Sequence, residues 1–440
     1  MATRVLLLSF SLAVCTPRLL FAQETPLSEI LVNLIQADVR LAPPPPGTTF
    51  SSHEAHFLPG TDQKLTPYQF NQAIVSQLSS YPVGSSAGGF TYTFDPGLGT
   101  YSRSSSTFGP SFLERALTIG KGRFNFGANY QHASFSSFEG KDLEGGNIKF
   151  YLTHQSTAIP APFFEGDLIE TALDLKLKTD TFAFLANYGL TDRLDIGLAV
   201  PILHVSMDAR INATVLRLAT LDTGATSGIH TFPGGGSSAP FSDSGSATGI
   251  GDILLRGKYH FLPGAGGGLA AAIDLRLPTG DADNLLGTGT TQGKIFLIGS
   301  TATTRISPHF NIGYTWSGKS SNEFLNVTDE FNYAGGTEIA VSPRLTVNVD
   351  FIGRQLVDSG RLVEQPHAFS WMTLGGASSG TTTFNEFAFE EGSVNTLTSA
   401  IGFKFNPGRN LLVSFNVLFP LTDGGIRANP IPVFGFDYAF

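Results

Sequence analysis

The chain has 440 residues, a formal net charge of −9, 14% charged residues, 50 glycines and 37 phenylalanines. Soluble domains carry about 25% charged residues and about 7% glycine, so this chain is short of charge and rich in Gly and Phe. The acidic balance has no run of like charge and gives no basic surface for nucleic acid, and past the first 22 residues no apolar run approaches the roughly 20 residues of a membrane helix.

Residues 1–4 are a short basic opening and 5–14 (VLLLSFSLAV) an apolar run; Ala22 in LLFAQET then offers a cleavage point, which together is the pattern of a secretory signal peptide over 1–22. LAVC at 12–15 raises lipidation of Cys15 as an alternative, opposed by the bulk of Val14. Cleavage after Ala22 removes the only cysteine, so the mature chain has no disulfide or thiol chemistry.

Residues 23–115 form a separate N-terminal segment with two expected helices. Thr25-Pro26 offers an N-cap and a first helical position, followed by Leu27, Leu31, Leu34 and Ile35 on one side. APPPPG at 42–47 is a stiff linker. Thr66, Pro67 and Gln69 make a capping box for a second helix running to about Ser79, and 88–102 reads as a hairpin. HEAH at 53–56 places its histidines one residue short of the zinc-binding spacing and reads as a loop. The segment is too polar and interrupted to span lipid. It is either a plug in a lumen, the reading favoured here, or a periplasmic appendage.

From 116 to 440 the pattern changes to a period of two, the period of strands. RFNFGANY alternates Phe124, Phe126, Ala128 and Tyr130 with Arg123, Asn125, Gly127 and Asn129. DRLDIGLAVPI, GDILLRGKYHF, LAAAIDLRL, FNIGYTW, RLTVNVDFIGR and LLVSFNVLF repeat the arrangement, an apolar face against a polar one. Less regular segments lie near 171–190, 292–305, 328–341 and 390–405. In the first, the apolar parity slips between Leu177 and Phe182, which a bulge or a strand running beyond the lipid explains. With VFGFDYAF at the end the count is twelve, an even number as bacterial single-chain barrels have. Tight connections at 191–193, 263–267, 307–308, 342–344 and 406–409 alternate with longer ones near 139–170, 207–247, 280–291, 318–327, 359–388 and 421–427. Short periplasmic turns and long external loops alternate in this way in an all-β, antiparallel, up-and-down transmembrane barrel.

A barrel turns its polar face inward, so Arg123, Asn125, Asp252, Arg256, Lys258, Asp274, Arg276, Glu338, Asp350, Arg354 and Lys404 are candidate lumen-lining residues. They pair across the lumen, border a solute path, or do both, and the presence of both signs gives no strong ion selectivity. Phe434, Phe436, Tyr438 and Phe440 form an aromatic ladder toward lipid, the kind of signal that the outer-membrane assembly machinery reads. GSSAG at 84–88 and GASSG at 376–380 match G-x-S-x-G, but neither sits on a strand-to-helix turn, so no nucleophile is assigned. No cofactor or metal site is suggested. These features describe an outer-membrane barrel and name no substrate; a solute channel, a lipid-acting barrel enzyme and a structural envelope protein are the readings they leave.

NYGLTDRLDIGLAVPI (187–202), GIGDILLRGKYHFL (249–262), AAAIDLRLPTGD (270–281) and SPRLTVNVDFIG (342–353) resemble the outer-membrane transporter family of the MetA pathway of phenol degradation. That family is a relative of the long-chain fatty-acid and aromatic-hydrocarbon transporters. The resemblance covers roughly 118–440 and implies a barrel that passes small hydrophobic or aromatic molecules.

Overall fold

A strand turns successive side chains to opposite faces, so Leu345–Leu356 sets Val347, Val349 and Phe351 against Thr346, Asn348 and Asp350. Twelve segments of this kind form the barrel in the computed structural model. It describes residues 25–43, 57–59, 66–79, 85, 89–95, 97, 100–154, 166–220, 229–264, 266–303, 305–320, 327–373 and 377–440. The proposed signal peptide, the HEAH loop and parts of the linker and of both G-x-S-x-G matches lie outside these residues.

The barrel strands are Phe124–Phe138, Leu168–Gly189, Leu194–Leu216, Ile253–Gly264, Gly267–Leu277, Gln292–Ser300, Ile306–Ser317, Glu330–Ser342, Leu345–Leu356, Val394–Gly408, Leu411–Pro420 and Ile431–Ala439. Each pairs antiparallel with its sequence neighbours, and the last closes on the first through Phe434↔Tyr130, Phe436↔Ala128 and Tyr438↔Phe126. Closure leaves no strand edge unpaired in hydrocarbon, where each orphaned backbone group costs several kcal/mol. Among the described residues, no helix is long and apolar enough to cross a membrane. The outward face is a band of large apolar side chains. Ile273 is 58% exposed, Phe310 51% and Phe434 52%, while the inward Asp274 is 6% exposed and Asn348 0%. An apolar surface of this extent is an aggregation liability in water and is the solvated face in lipid.

The parity slip between Leu177 and Phe182 is not a bulge. The second strand pairs with the first from Phe124↔Tyr188 to Phe135↔Leu177, and with the third from Leu168↔Leu216 to Gly189↔Asp195, without a shift in register. The apolar side chains change faces instead. Phe182, Phe184, Ile196, Leu198 and Ile202 point outward, whereas Leu173, Leu175, Leu177, Val205, Met207 and Ile211 point inward and are buried. Outside the latter run Asp174, Lys176, Lys178, Asp208 and Arg210. The change falls at the neighbouring pairs Phe182↔Ile202 and Thr181↔Leu203. The strands leave the apolar band there and continue as the wall of a water-facing lobe on the long-loop side.

The expected loop at 207–247 is therefore largely strand. Ser238–Ile250 pairs with the third strand from Ile202↔Ile250 to Thr214↔Ser238, and after an interruption at Gly251-Asp252 the chain continues into the fourth barrel strand. Its inward residues include Ala239, Gly245, Ala247 and Gly249, too small to make an apolar period in the sequence. They leave room instead: a Cβ on Gly245 would lie 2.9 Å from Leu27 Cδ2. The connection at 359–388 is a hairpin, Arg361–Met372 with Ser379–Glu390, and Ser307-Pro308 lies inside the seventh strand rather than in the turn before it.

The N-terminal helix Leu27–Asn33 continues as a π-helical turn, Leu34–Asp38, and buries Leu27, Ile30, Leu31, Leu34 and Ile35 inside the lobe. Its N-cap is Pro26, with ψ 142°, and Thr25 makes no side-chain cap. A distant loop takes over the orphaned N–H groups: Leu27 donates to Asn284 Oδ1 (3.4 Å) and Ser28 to the Asp283 carbonyl (3.0 Å). The second helix, Thr66–Ser79, adds Phe70 and Ile74 to the same core. The chain then reaches the short-turn rim, where Tyr92–Asp95 pairs with Thr100–Arg103 and Phe90 and Phe108 pack on Leu412 and Ala439.

The barrel lumen as candidate functional site

Residues 104–119 run along the inner wall at the short-turn end, held by the polar side chains that the strands turn inward. Phe108 N donates to Thr346 Oγ1 (3.2 Å), Gly109 N to Glu338 Oε2 (3.1 Å), Glu114 N to Asn311 Oδ1 (2.8 Å) and Ala116 N to Ser300 Oγ (2.9 Å). Lys404 Nζ donates to the Pro110 carbonyl (2.7 Å), and Lys258 Nζ to that of Leu117 (3.0 Å). A non-helical backbone at this depth is stable only because protein groups satisfy it.

Three clusters gather most of the expected lumen residues. In the first, Arg256 makes a two-point pair with Asp274 (both contacts 2.6 Å) and reaches Glu114 (2.6 Å), while Lys258 lies 3.2 Å from Glu114 and 3.7 Å from Asp195. In the second, His309 bridges Asp350 (2.9 Å) and Glu338 (3.4 Å), and Arg115 stands 3.9 Å from Glu338. In the third, Arg354 grips Glu330 through Nε–Oε2 (3.1 Å) and Nη2–Oε1 (2.5 Å) and also donates to the Ser76 carbonyl (3.4 Å). Buried charges tolerate this environment because each is paired, and removing one partner of such a pair costs about 3–5 kcal/mol.

Asp252 does something different. It sits at the break before the fourth strand and accepts from Gly280 N (3.1 Å), Thr288 N (2.8 Å) and Thr288 Oγ1 (2.7 Å), tying down the following loop. Arg123 lies at the rim with its guanidinium 4.7 Å from the centroid of Tyr92, and Asn125 is inward and buried. Arg276 contacts Gln292 Oε1 (3.4 Å).

Sequence reading missed Glu114, Arg115, Asp195, Lys294, His309 and Glu330. Lys294, His309 and Glu330 carry the inward parity of their strands and could have been found that way. Glu114 and Arg115 sit in a non-periodic stretch with no such signal.

Above the first cluster and beside the third lies a cavity of about 150 Å³. Phe112, Leu113 and Phe296 supply apolar wall; Arg256, Asp274, Arg276, Gln292, Lys294, Asn311, Thr315, Glu330, Asn332 and Arg354 supply polar wall. On the outside of the barrel, Phe434, Phe436 and Phe440 are exposed, and Phe440 N donates to the Phe124 carbonyl (2.8 Å).

The lobe holds a further buried pair. The carboxylate of Asp167 accepts from the N–H groups of Leu218, Ala219 and Thr220 (2.9, 2.8 and 2.9 Å), from the Thr220 hydroxyl, and contacts His230 Nδ1 at 2.8 Å. Burial opposes ionisation of Asp167, but the bond to and field of His230, with the Thr220 donors, outweigh it and hold the carboxyl below its ordinary value.

Comparison with solved structures finds an outer-membrane channel from Pseudomonas putida F1, 13% identical with a TM-score of 0.42, covering 74% of this chain and 98% of that one. A Pseudomonas aeruginosa FadL homologue is 12% identical with a TM-score of 0.33, covering 82% and 98%. The Ralstonia pickettii toluene transporter TbuX is 13% identical with a TM-score of 0.29, covering 74% and 91%. Comparison with curated proteins finds no match. Residues 171–365, spanning seven complete barrel strands and the lobe wall between them, match the family described as "Putative MetA-pathway of phenol degradation".

Proposed function

We propose that the protein is an outer-membrane β-barrel that lets small hydrophobic or aromatic organic solutes cross passively. The observation that carries this reading is the combination of an outward apolar band on a closed barrel with a cavity of about 150 Å³ in its lumen, walled partly by aromatic and partly by polar side chains. The family description, which names phenol degradation, supports the solute class. The charge clusters hold residues 104–119 against the wall, so the N-terminal segment acts as a plug that narrows the lumen rather than as a periplasmic appendage. The long loops and the lobe face the cell exterior. No enzymatic step is needed for this role, and the terminal aromatics serve recognition by the assembly machinery.

The test is uptake of phenol and toluene into liposomes carrying the purified barrel, with release of fatty acid from the lipid followed in the same samples. Accelerated uptake without hydrolysis is expected. Hydrolysis without uptake would favour a barrel enzyme, and neither activity would favour a structural protein.

A further inference from the structure

The lumen holds a further, smaller cavity of about 30 Å³, bordered by Ser111, Lys404, Ser414, Asn416 and Asp437. It lies nearer the short-turn rim. Lys404, Ser414 and Asp437 stand toward the short-turn ends of Val394–Gly408, Leu411–Pro420 and Ile431–Ala439. Arg276, Gln292, Glu330 and Arg354, which line the cavity of about 150 Å³, stand toward the long-loop ends of Gly267–Leu277, Gln292–Ser300, Glu330–Ser342 and Leu345–Leu356. The plug separates the two at residues 111–113: Leu113 borders the larger cavity, Ser111 the smaller and Phe112 both.

This stretch is held at its ends and loose between them. On one side Lys404 Nζ donates to the Pro110 carbonyl (2.7 Å). On the other, Glu114 N donates to Asn311 Oδ1 (2.8 Å) and Asn311 Nδ2 to the Glu114 carbonyl (2.9 Å). Among the described residues, the one hydrogen bond of 111–113 runs from Ser85 N to the Ser111 carbonyl (3.1 Å), and it ties the stretch to the N-terminal segment instead of the barrel wall. The Ser111 hydroxyl is buried with no hydrogen-bond partner among the described residues, an arrangement that disfavours the position the stretch occupies. Leu113 is 3% exposed, whereas Phe112 is half-buried and packs on the edge of the main apolar core. A segment with few anchors between two fixed points shifts locally while the plug and the barrel stay folded.

The sizes of the cavities say what has to shift. A cavity of about 150 Å³ accepts a single benzene ring, whereas one of about 30 Å³ admits water and no ring. A one-ring solute that moves from the larger into the smaller must displace part of its wall. Lys404, Ser414, Asn416 and Asp437 belong to strands paired on both sides in the closed sheet, so the wall that yields is the plug. We infer that Phe112 is the gate of the lumen and its size filter: displacement of its ring, with residues 111–113, joins the two cavities for a one-ring solute and excludes a larger one. The inference rests on the transport reading for its solutes, but the gate itself is measured with ions.

Single-channel conductance in KCl and liposome uptake of phenol and of the bicyclic naphthol test it, each uptake rate taken above that of empty liposomes. Phe112→Ala should raise the conductance about twofold and the ratio of naphthol to phenol uptake about tenfold, and Phe112→Trp should lower phenol uptake about tenfold. Leu113→Ala, which widens the larger cavity alone, should leave both the conductance and the ratio at the wild-type values. Heat-modifiability on gels establishes that each variant is folded. If Phe112→Ala fails to fold, Phe112→Leu, with the same direction of change, and Phe112→Trp decide. A wild-type conductance in the folded Phe112→Ala protein overturns the gate, and a wild-type uptake ratio overturns the size filter. Equal changes in Leu113→Ala overturn the assignment to Phe112. Wild-type uptake of phenol no faster than in empty liposomes defeats the transport reading, whereas normal uptake that no Phe112 variant alters defeats the gate alone.

Discussion

Ile273→Lys perturbs the outer face at one place where its depth can be worked out. Ile273 is 58% exposed and lies six residues above Gly267, the first residue of its strand at the short-turn rim. At about 3.4 Å per residue and a tilt near 40°, it stands roughly 15 Å above that rim, near the middle of an apolar band about 25 Å tall. Its strand partners are Gly257 and Ile295, which offer the ammonium no anion. A lysine at the midplane of a barrel costs about 2–4 kcal/mol, a cost that falls to about 0–1 near the interface. The folding equilibrium should therefore shift by about 30- to 1,000-fold for Ile273→Lys. Leu269→Lys, two residues above the rim on the same face, should shift it little. Urea unfolding in lipid vesicles, followed by tryptophan fluorescence, measures both. Equal costs at the two depths, or no cost at Ile273, would refute the lipid-facing assignment, because a half-exposed residue on a water-facing surface accepts lysine freely.

Topology predicts that Ser244→Cys, on the lobe wall, is labelled on intact cells by an impermeant thiol reagent. Arg344→Cys, in a short turn, should be labelled only after the outer membrane is permeabilised. The reverse pattern inverts the orientation. For the lobe, Asp167 has a folded-state pKa below its ordinary value of 3.8, so its bonds contribute fully above that value and are lost as pH falls beneath it. Asp167→Asn should remove the contribution at neutral pH, at about 3–5 kcal/mol, and hydrogen exchange at residues 216–220 and 229–237 reports it. Unchanged protection in the variant would contradict the bond network. Deleting Phe440, which is 61% exposed and bonded to the rim through its N–H, should lower the yield of folded barrel in cells more than the yield of refolding in detergent. Equal effects in both would reduce the terminal ladder to packing.

The barrel was legible because each strand such as Leu345–Leu356 or Leu411–Pro420 alternates apolar and polar residues, and because the short turns separate cleanly from the long connections. The lobe was visible only as a disturbance. Leu173, Leu175 and Leu177 are on the opposite parity from Phe182 and Phe184 because the apolar partner changes from lipid outside to protein inside. Residues 238–247, within the expected loop at 207–247, carry no apolar period because most inward positions of Ser238–Ile250 are small, with room at Gly245 for the helix that packs there. The inward charges could be placed on the correct face from parity, yet their pairing could not. Glu114 meets Arg256 across 142 residues of sequence, and only the path of residues 104–119 brings them together. Thr25 was a sound local cap that tertiary structure replaced with Asn284 and Asp283.

Filling the lumen cavity tests the conduit most directly. Asn332 lines the cavity of about 150 Å³ and projects inward from the eighth strand, so Asn332→Trp places an indole in the proposed path. Liposomes carrying equal amounts of folded wild-type and Asn332→Trp barrel should differ at least tenfold in the rate of phenol uptake. Undiminished uptake through the filled barrel would contradict passage through this lumen.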